Sequence, residues 1–171
     1  MSNDLALRVA HVVRDAGGRV VGRTKLQKMI YLLAASGFED DIPFVYKHYG
    51  PYSEQAAEAA RSASLLGFLN EKEEEASWGG SYSIYTIPID GLSDDTSRRS
   101  LLSLGAAANA VELELAATAL FLHIEEQSPQ PWKETERRKP DKAAHGRLAG
   151  AKKLYDQIRS IETPTPFPEL I

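Results

Sequence analysis

Residues 97–127 place the hardest constraint on what this chain can become. Leu101, Leu104, Ala108, Val111, Leu115 and Leu122 recur at heptad-like spacing, and a second stripe of Leu113, Ala117, Leu120 and Ile124 opens in the last half. The spacing predicts one long helix, and a helix apolar on two sides must be covered on two sides. It is therefore either central to its domain or part of a homodimer interface. At 171 residues the chain suits one domain with short extensions, a size that buries roughly 70% of the surface its unfolded form exposes.

The residues before this stretch divide into short elements. A first helix begins with Ser2 or Asn3 as cap, carries Leu5, Val9, Val12 and Val13 on one face, and ends at Gly17-Gly18. A second starts at Thr24, which with Gln27 three positions on forms a capping box, and runs through KLQKMIYLLAAS to Gly37. Leu26, Met29 or Ile30, and Leu33 face inward, with Lys25, Lys28 and Tyr31 off that stripe. Phe44-Val45-Tyr46 fits a brief strand, after which YKHYGPYS turns at Gly50-Pro51 and offers Ser53 as the cap of a third, Ala-rich helix ending at Gly67. A β-hairpin follows, with EKEEE on one arm, Gly79-Gly80 at the tip and SYSIYTI on the other. Helix, helix, short strand, helix, hairpin is the order of a winged helix-turn-helix. Beyond the long helix, SPQPWKETERRKPD reads as a loop, Asp141 to Ile161 as a helix with Ala151, Leu154, Ile158 and Ile161 inward, and TPTPFPELI as an extended tail.

Composition and charge exclude several classes. Cys is absent, so disulfides and thiolate metal sites are out. The N-terminal stretch lacks a basic n-region and no apolar run approaches the roughly 20 residues that span a bilayer, so a cytoplasmic protein is expected. The net charge is −4, with acids concentrated at residues 71–95 and the basic residues Lys133, Arg137, Arg138, Lys139 and Lys142 near the C-terminus. His11, His48, His123 and His145 have no metal-ligand spacing, and no phosphate-binding loop, dinucleotide fingerprint or nucleophile elbow is present. His48 and Ser53 can be written as base and nucleophile, but capping already accounts for Ser53. Neither catalysis nor a cofactor is expected.

Nucleic-acid binding is the alternative reading, on the element order alone. A recognition helix presents Arg, Lys, Asn or Gln, whereas the third helix here offers Arg61 and Gln55 beside Glu54 and Glu58. The hairpin carries Glu71, Glu73, Glu74 and Glu75, which a phosphate backbone repels.

"GRTKLQKMIYLL" followed by F-x-Y-K-H-Y-G-P-Y-S resembles YwgA-like bacterial and archaeal proteins and, more distantly, the Panacea (SocA-like) antitoxin domain. The matching positions are Lys25, Leu26, Gln27, Lys28 and Tyr31, then Phe44, Tyr46, Tyr49, Gly50, Pro51, Tyr52 and Ser53. Pro131-Trp132 and Lys139-Pro140 resemble the C-terminal part of the YwgA-like pattern. The antitoxin resemblance implies a domain that neutralises a toxin, in some cases by delivering it to a protease, and it implies no catalytic residue.

The expected fold is mainly α (α+β), with a winged-helix-like core over residues 1–92, a helical extension packed on it over 93–162 and an extended tail over 163–171. The expected function is non-enzymatic binding of a protein partner, antitoxin-like or regulatory. Lys25, Gln27, Lys28, Tyr31, Tyr46, His48, Tyr49, Gly50, Pro51, Tyr52 and Ser53 are the candidate interaction or motif residues. Of these Lys28, Tyr31, His48, Tyr49 and Tyr52 are expected to line one surface.

Overall fold

The computed structural model describes residues 2–171. The chain runs α1 (Ser2–Asp15), β1 (Arg19–Val21), α2 (Arg23–Ala35), β2 (Val45–Lys47), β3 (Gly50–Tyr52), α3 (Glu54–Leu65), β4 (Asn70–Glu75), β5 (Ser81–Thr86), α4 (Thr96–Ala107), α5 (Ala110–Glu125), α6 (Pro131–Arg138), α7 (Pro140–Ala143) and α8 (Arg147–Arg159). This is an α+β fold, mainly α. β4 and β5 form the expected hairpin, and β1 joins its other side to give the order β1-β5-β4, while β2 and β3 form a separate antiparallel pair. No sequence pattern marks β1, since three residues are too few for alternation to stand out.

Helix starts follow side-chain chemistry. Ser53 Oγ accepts from the Ala56 amide at 3.1 Å and Asp95 Oδ1 from the Arg98 amide at 3.0 Å. The expected capping box does not form. The N-cap of α2 is Gly22, at φ +101° and without a side-chain bond, because Gln27 is engaged elsewhere. α1 already includes both Ser2 and Asn3, so its cap position lies outside the described residues.

The long helix expected over 97–127 is two helices. Asn109 breaks it: its Oδ1 accepts from the Val111 and Glu112 amides at 3.0 and 3.1 Å, capping α5. Short polar side chains compete in this way with a continuing backbone ladder. Asn109→Ala should lower global stability by about 1 kcal/mol in chemical denaturation, the usual cost of a lost cap. Residues 113–122 of α5 are buried without a gap, packed by α2, β3, α6, α7 and α8. Of the two arrangements open to a helix apolar on two sides, those residues adopt the central one.

Two further expectations change. The stretch read as a loop contains α6, with Pro131 at its first turn and Trp132 buried; proline there replaces an amide that would have no helical partner anyway. The last helix begins at Arg147 rather than near Asp141, after a break where His145 and Gly146 take positive φ. The tail is extended as expected and tied down: the Thr165 amide donates to Ser36 O at 2.9 Å, Tyr155 Oη donates to Pro168 O at 2.5 Å, and Phe167 is buried. One apolar cluster runs from Ala6 to Phe167, and among the described residues no helix is long and apolar enough to cross a membrane.

Candidate functional site

The α2 motif K-L-Q-K-M-I-Y is buried nearly all round, from Leu26 to Leu33. Lys28 and Tyr31, expected off the buried stripe, are in fact 1% and 4% exposed, because α5 covers the face that would otherwise meet solvent. Lys25, Gln27 and Lys28 then each have a backbone target, whereas the buried Tyr31 hydroxyl has no hydrogen-bond partner among the described residues. Lys25 Nζ donates to Ala106 O at 2.9 Å and Ala108 O at 2.7 Å, catching carbonyls that the end of α4 leaves free. Gln27 makes a reciprocal pair with Ser53: Nε2 donates to Ser53 O and Oε1 accepts from the Ser53 amide, both at 2.9 Å. Lys28 Nζ donates to Pro51 O at 2.7 Å.

These contacts hold YKHYGPYS by its backbone. The turn lies at His48-Tyr49 rather than at Gly50-Pro51, which form β3: Lys47 pairs with Gly50, Tyr46 with Pro51 and Val45 with Tyr52. Gly50 has φ +87°, and a Cβ there would lie 2.5 Å from Thr118 Oγ1. Gly50→Ala should cost roughly 2 kcal/mol in denaturation, combining left-handed strain with overpacking. Gly50→Ala in a Thr118→Ala background should recover the packing share only, since Thr118 Oγ1 has no hydrogen-bond partner among the described residues to lose.

The C-terminal helices hold the other side of the hairpin. Lys139 Nζ donates to His48 O at 2.6 Å and to Glu114 Oε2 at 3.0 Å, while Lys142 Nζ reaches both Glu114 oxygens at 2.9 and 2.7 Å. Cations also lie over the tyrosines: Arg138 is 5.0 Å from the Tyr46 ring centroid, Lys142 is 4.4 Å from that of Tyr49, and Lys47 is 4.6 Å from that of Tyr52.

The five residues expected to share one surface divide among three places. Lys28, Tyr49 and Tyr52 line a cleft of about 340 Å³ between α2, α3 and the sheet, floored by Ala56 and Ala60 and walled by Tyr85. His48 lines a neighbouring groove with Tyr46 and the α6–α7 cations. Tyr31 enters the core, edge-on to Phe44 at 5.1 Å and 6.0 Å from Phe121. Burial, aided by Glu125, pushes its phenol well above the ordinary tyrosine range, so it stays neutral. Burial also lowers the Lys28 amine to about 7, against the pull of nearby Glu114. Among the described residues no three His, Asp or Glu side chains converge to hold a metal ion.

Glu114, Thr118, Lys139 and Lys142 escaped the sequence reading as parts of this site. One signal was available: Glu114 lies past the first turn of α5 as the one charged residue of the stretch 113–122, and a buried carboxylate requires a cation from elsewhere in the chain. A separate network fixes α1 to α4, where Arg98 Nε donates to Asp15 at 3.0 Å and Arg98 Nη1 to Glu39 at 3.1 Å.

No family model matches the chain. It is similar to a protein of Bacillus subtilis (strain 168) described as uncharacterized protein YwgA, with 40% identity over 58 residues, or 34% of this chain. The match spans 35% of that protein's length. This is a weak likeness to YwgA, confined to about a third of each chain, and it shows no link to the Panacea antitoxin domain.

Proposed function

We propose that this chain is a non-enzymatic protein-interaction domain, antitoxin-like or regulatory, that docks a protein partner through the solvent side of the β2–β3 hairpin. The observation that carries this reading is the contrast between the two sides of that hairpin. Its backbone is held at Ser53, Pro51 and His48 by the buried Gln27, Lys28 and Lys139, yet Tyr49 stands 58% exposed at the turn. An aromatic anchor on a fixed backbone loses little freedom on binding. The Ala-floored cleft beside it offers an apolar side chain of the partner a place to enter.

Affinity purification from the native host tests the proposal. The parent protein should retain a stoichiometric protein partner, and Tyr49→Ala should melt at the same temperature and lose it. Undiminished retention by Tyr49→Ala overturns the reading. A toxin-like reading frame beside the gene selects the antitoxin form, and an isolated gene selects the regulatory one.

Element order supports a second reading. The element order over residues 2–92 and the sheet order β1-β5-β4 support reading this part as a winged-helix-like core, the scaffold of many DNA readers. Charge opposes the activity. Arg61 on α3 is engaged by Glu58 at 3.0 Å and Glu54 at 4.0 Å, and β4 carries four glutamates. A DNA duplex retained at low salt and released steeply as salt rises selects this reading over the first.

A further inference from the structure

We infer that the open groove between the β2–β3 hairpin and the α6–α7 junction takes an extended acidic segment of a protein partner. The inference rests on the protein-interaction reading and gives the partner's chemistry. The groove encloses about 1040 Å³ and is lined by Lys47, His48, Arg137, Arg138, Lys139 and Lys142, with Asp141 as the lone acid in its lining. The carboxylates that balance these cations lie behind or beside them. Glu114 is buried beneath Lys139 and Lys142, Glu126 and Glu134 hold Arg138 from its flank at 2.7 Å each, and Glu134 also pairs with the exposed Arg137 at 2.6 Å. Lys47 has no acidic partner among the described residues. The side facing the groove therefore presents fixed cationic donors.

The backbone of β2 adds an independent observation. Tyr46 is paired with Pro51, which has no N–H, so the alternation of an antiparallel pair turns the Tyr46 amide and carbonyl to the outer edge. On β3 the same alternation sends the Pro51 carbonyl outward, where Lys28 meets it. On β2 no described residue meets the Tyr46 groups. An extended segment laid along this edge pairs with them and places alternate side chains over the groove, where carboxylates reach Lys47, Arg137 and Lys142.

Nucleic acid fits this groove less well. The Tyr46 ring has Arg138 over it and Phe121 at 6.1 Å, and Lys142 covers a face of Tyr49. Those contacts leave bases fewer free ring faces to stack on.

Fluorescence anisotropy with the full chain tests this, using a blocked eight-residue peptide alternating Glu and Thr, the same peptide with Gln for Glu, and a labelled oligothymidine. The Glu peptide should bind, weaken as salt rises, and lose about ten-fold in affinity in Lys47→Gln/Arg137→Gln. That variant removes two exposed side chains and should melt like the parent, and Lys72→Gln on β4 should bind as the parent does. Equal binding of the Gln peptide, or undiminished binding by the double variant, overturns the inference. Tighter binding of oligothymidine also overturns it and assigns the groove to nucleic acid. In the purification from the native host, a partner lost with Tyr49→Ala but kept by Lys47→Gln/Arg137→Gln overturns the groove alone. A partner kept by Tyr49→Ala overturns the interaction reading itself.

Discussion

Lys28→Met should remove a pH-dependent part of the protein's stability: relative to the parent, the variant should lose about 3 kcal/mol between pH 7 and pH 9.5, read by urea denaturation across that range. Burial depresses the Lys28 amine to about 7 from an ordinary 10.5, with Glu114 opposing the shift and Lys139 and Lys142 reinforcing it. Between those two values the unfolded chain binds the proton and the folded one does not. The stability this lysine contributes is therefore complete above 10.5 and is lost as pH falls through about 7. At its steepest the change amounts to about 1.4 kcal/mol per pH unit. The neutral amine still donates to Pro51 O, so the joint keeps its bond at high pH while the desolvation cost disappears. Methionine has neither the bond nor the charge. At pH 6 the two proteins should lie close together, and at pH 9.5 the parent should be the more stable. A difference that stays flat with pH would show that Lys28 titrates in its ordinary range.

What the sequence revealed of this molecule follows a physical rule: local signals were legible, and long-range ones were not. Ser53 announces α3 because a cap acts within three residues, and SYSIYTI announces β5 because alternation is written in the strand itself. The break at Asn109 was hidden because the apolar spacing continues across it, and spacing does not report whether a side chain has captured the next amides. Trp132 was lost among prolines, although Pro131 at a first turn starts a helix as readily as it ends one.

The site was half legible for the same reason. Its near members, from Lys25 to Ser53, share a motif. Their roles, however, depend on distant segments: Lys25 ends on Ala106 and Ala108, and the hairpin's other support comes from Lys139. Thr24 and Gln27 have the spacing of a capping box, and what overrides it is tertiary. The Gln27 amide group satisfies both backbone groups of the buried Ser53, a larger gain than one exposed helix end supplies. The surplus of tyrosines is explained in part: Tyr46, Tyr49 and Tyr52 each lie under a cation, and Tyr31 fills the core.

Glu114→Ala should destabilise the protein by about 4 kcal/mol, the typical cost of removing one partner from a buried ion pair. Glu114 and Lys139 have side chains 4% and 5% exposed, so the substitution leaves an ammonium in a dry site with one carbonyl, that of His48, as partner. Lys142 is a third exposed and can turn to water, so most of the loss is assigned to Lys139. The pair variant Glu114→Leu/Lys139→Met discriminates between a pair that drives stability and one whose breakage is what costs. If the second holds, the double variant should recover most of the 4 kcal/mol, because apolar groups of similar volume need no counter-charge. It should not recover the position of the hairpin turn, since the bond to His48 O goes with Lys139. Amide exchange at His48 and Tyr49 should therefore quicken in the double variant while its global stability approaches the parent's. Slow exchange there would show that Gln27 and Lys28 suffice to fix the turn. In that case the α6–α7 side of the joint is a lining for the groove rather than a support for Tyr49.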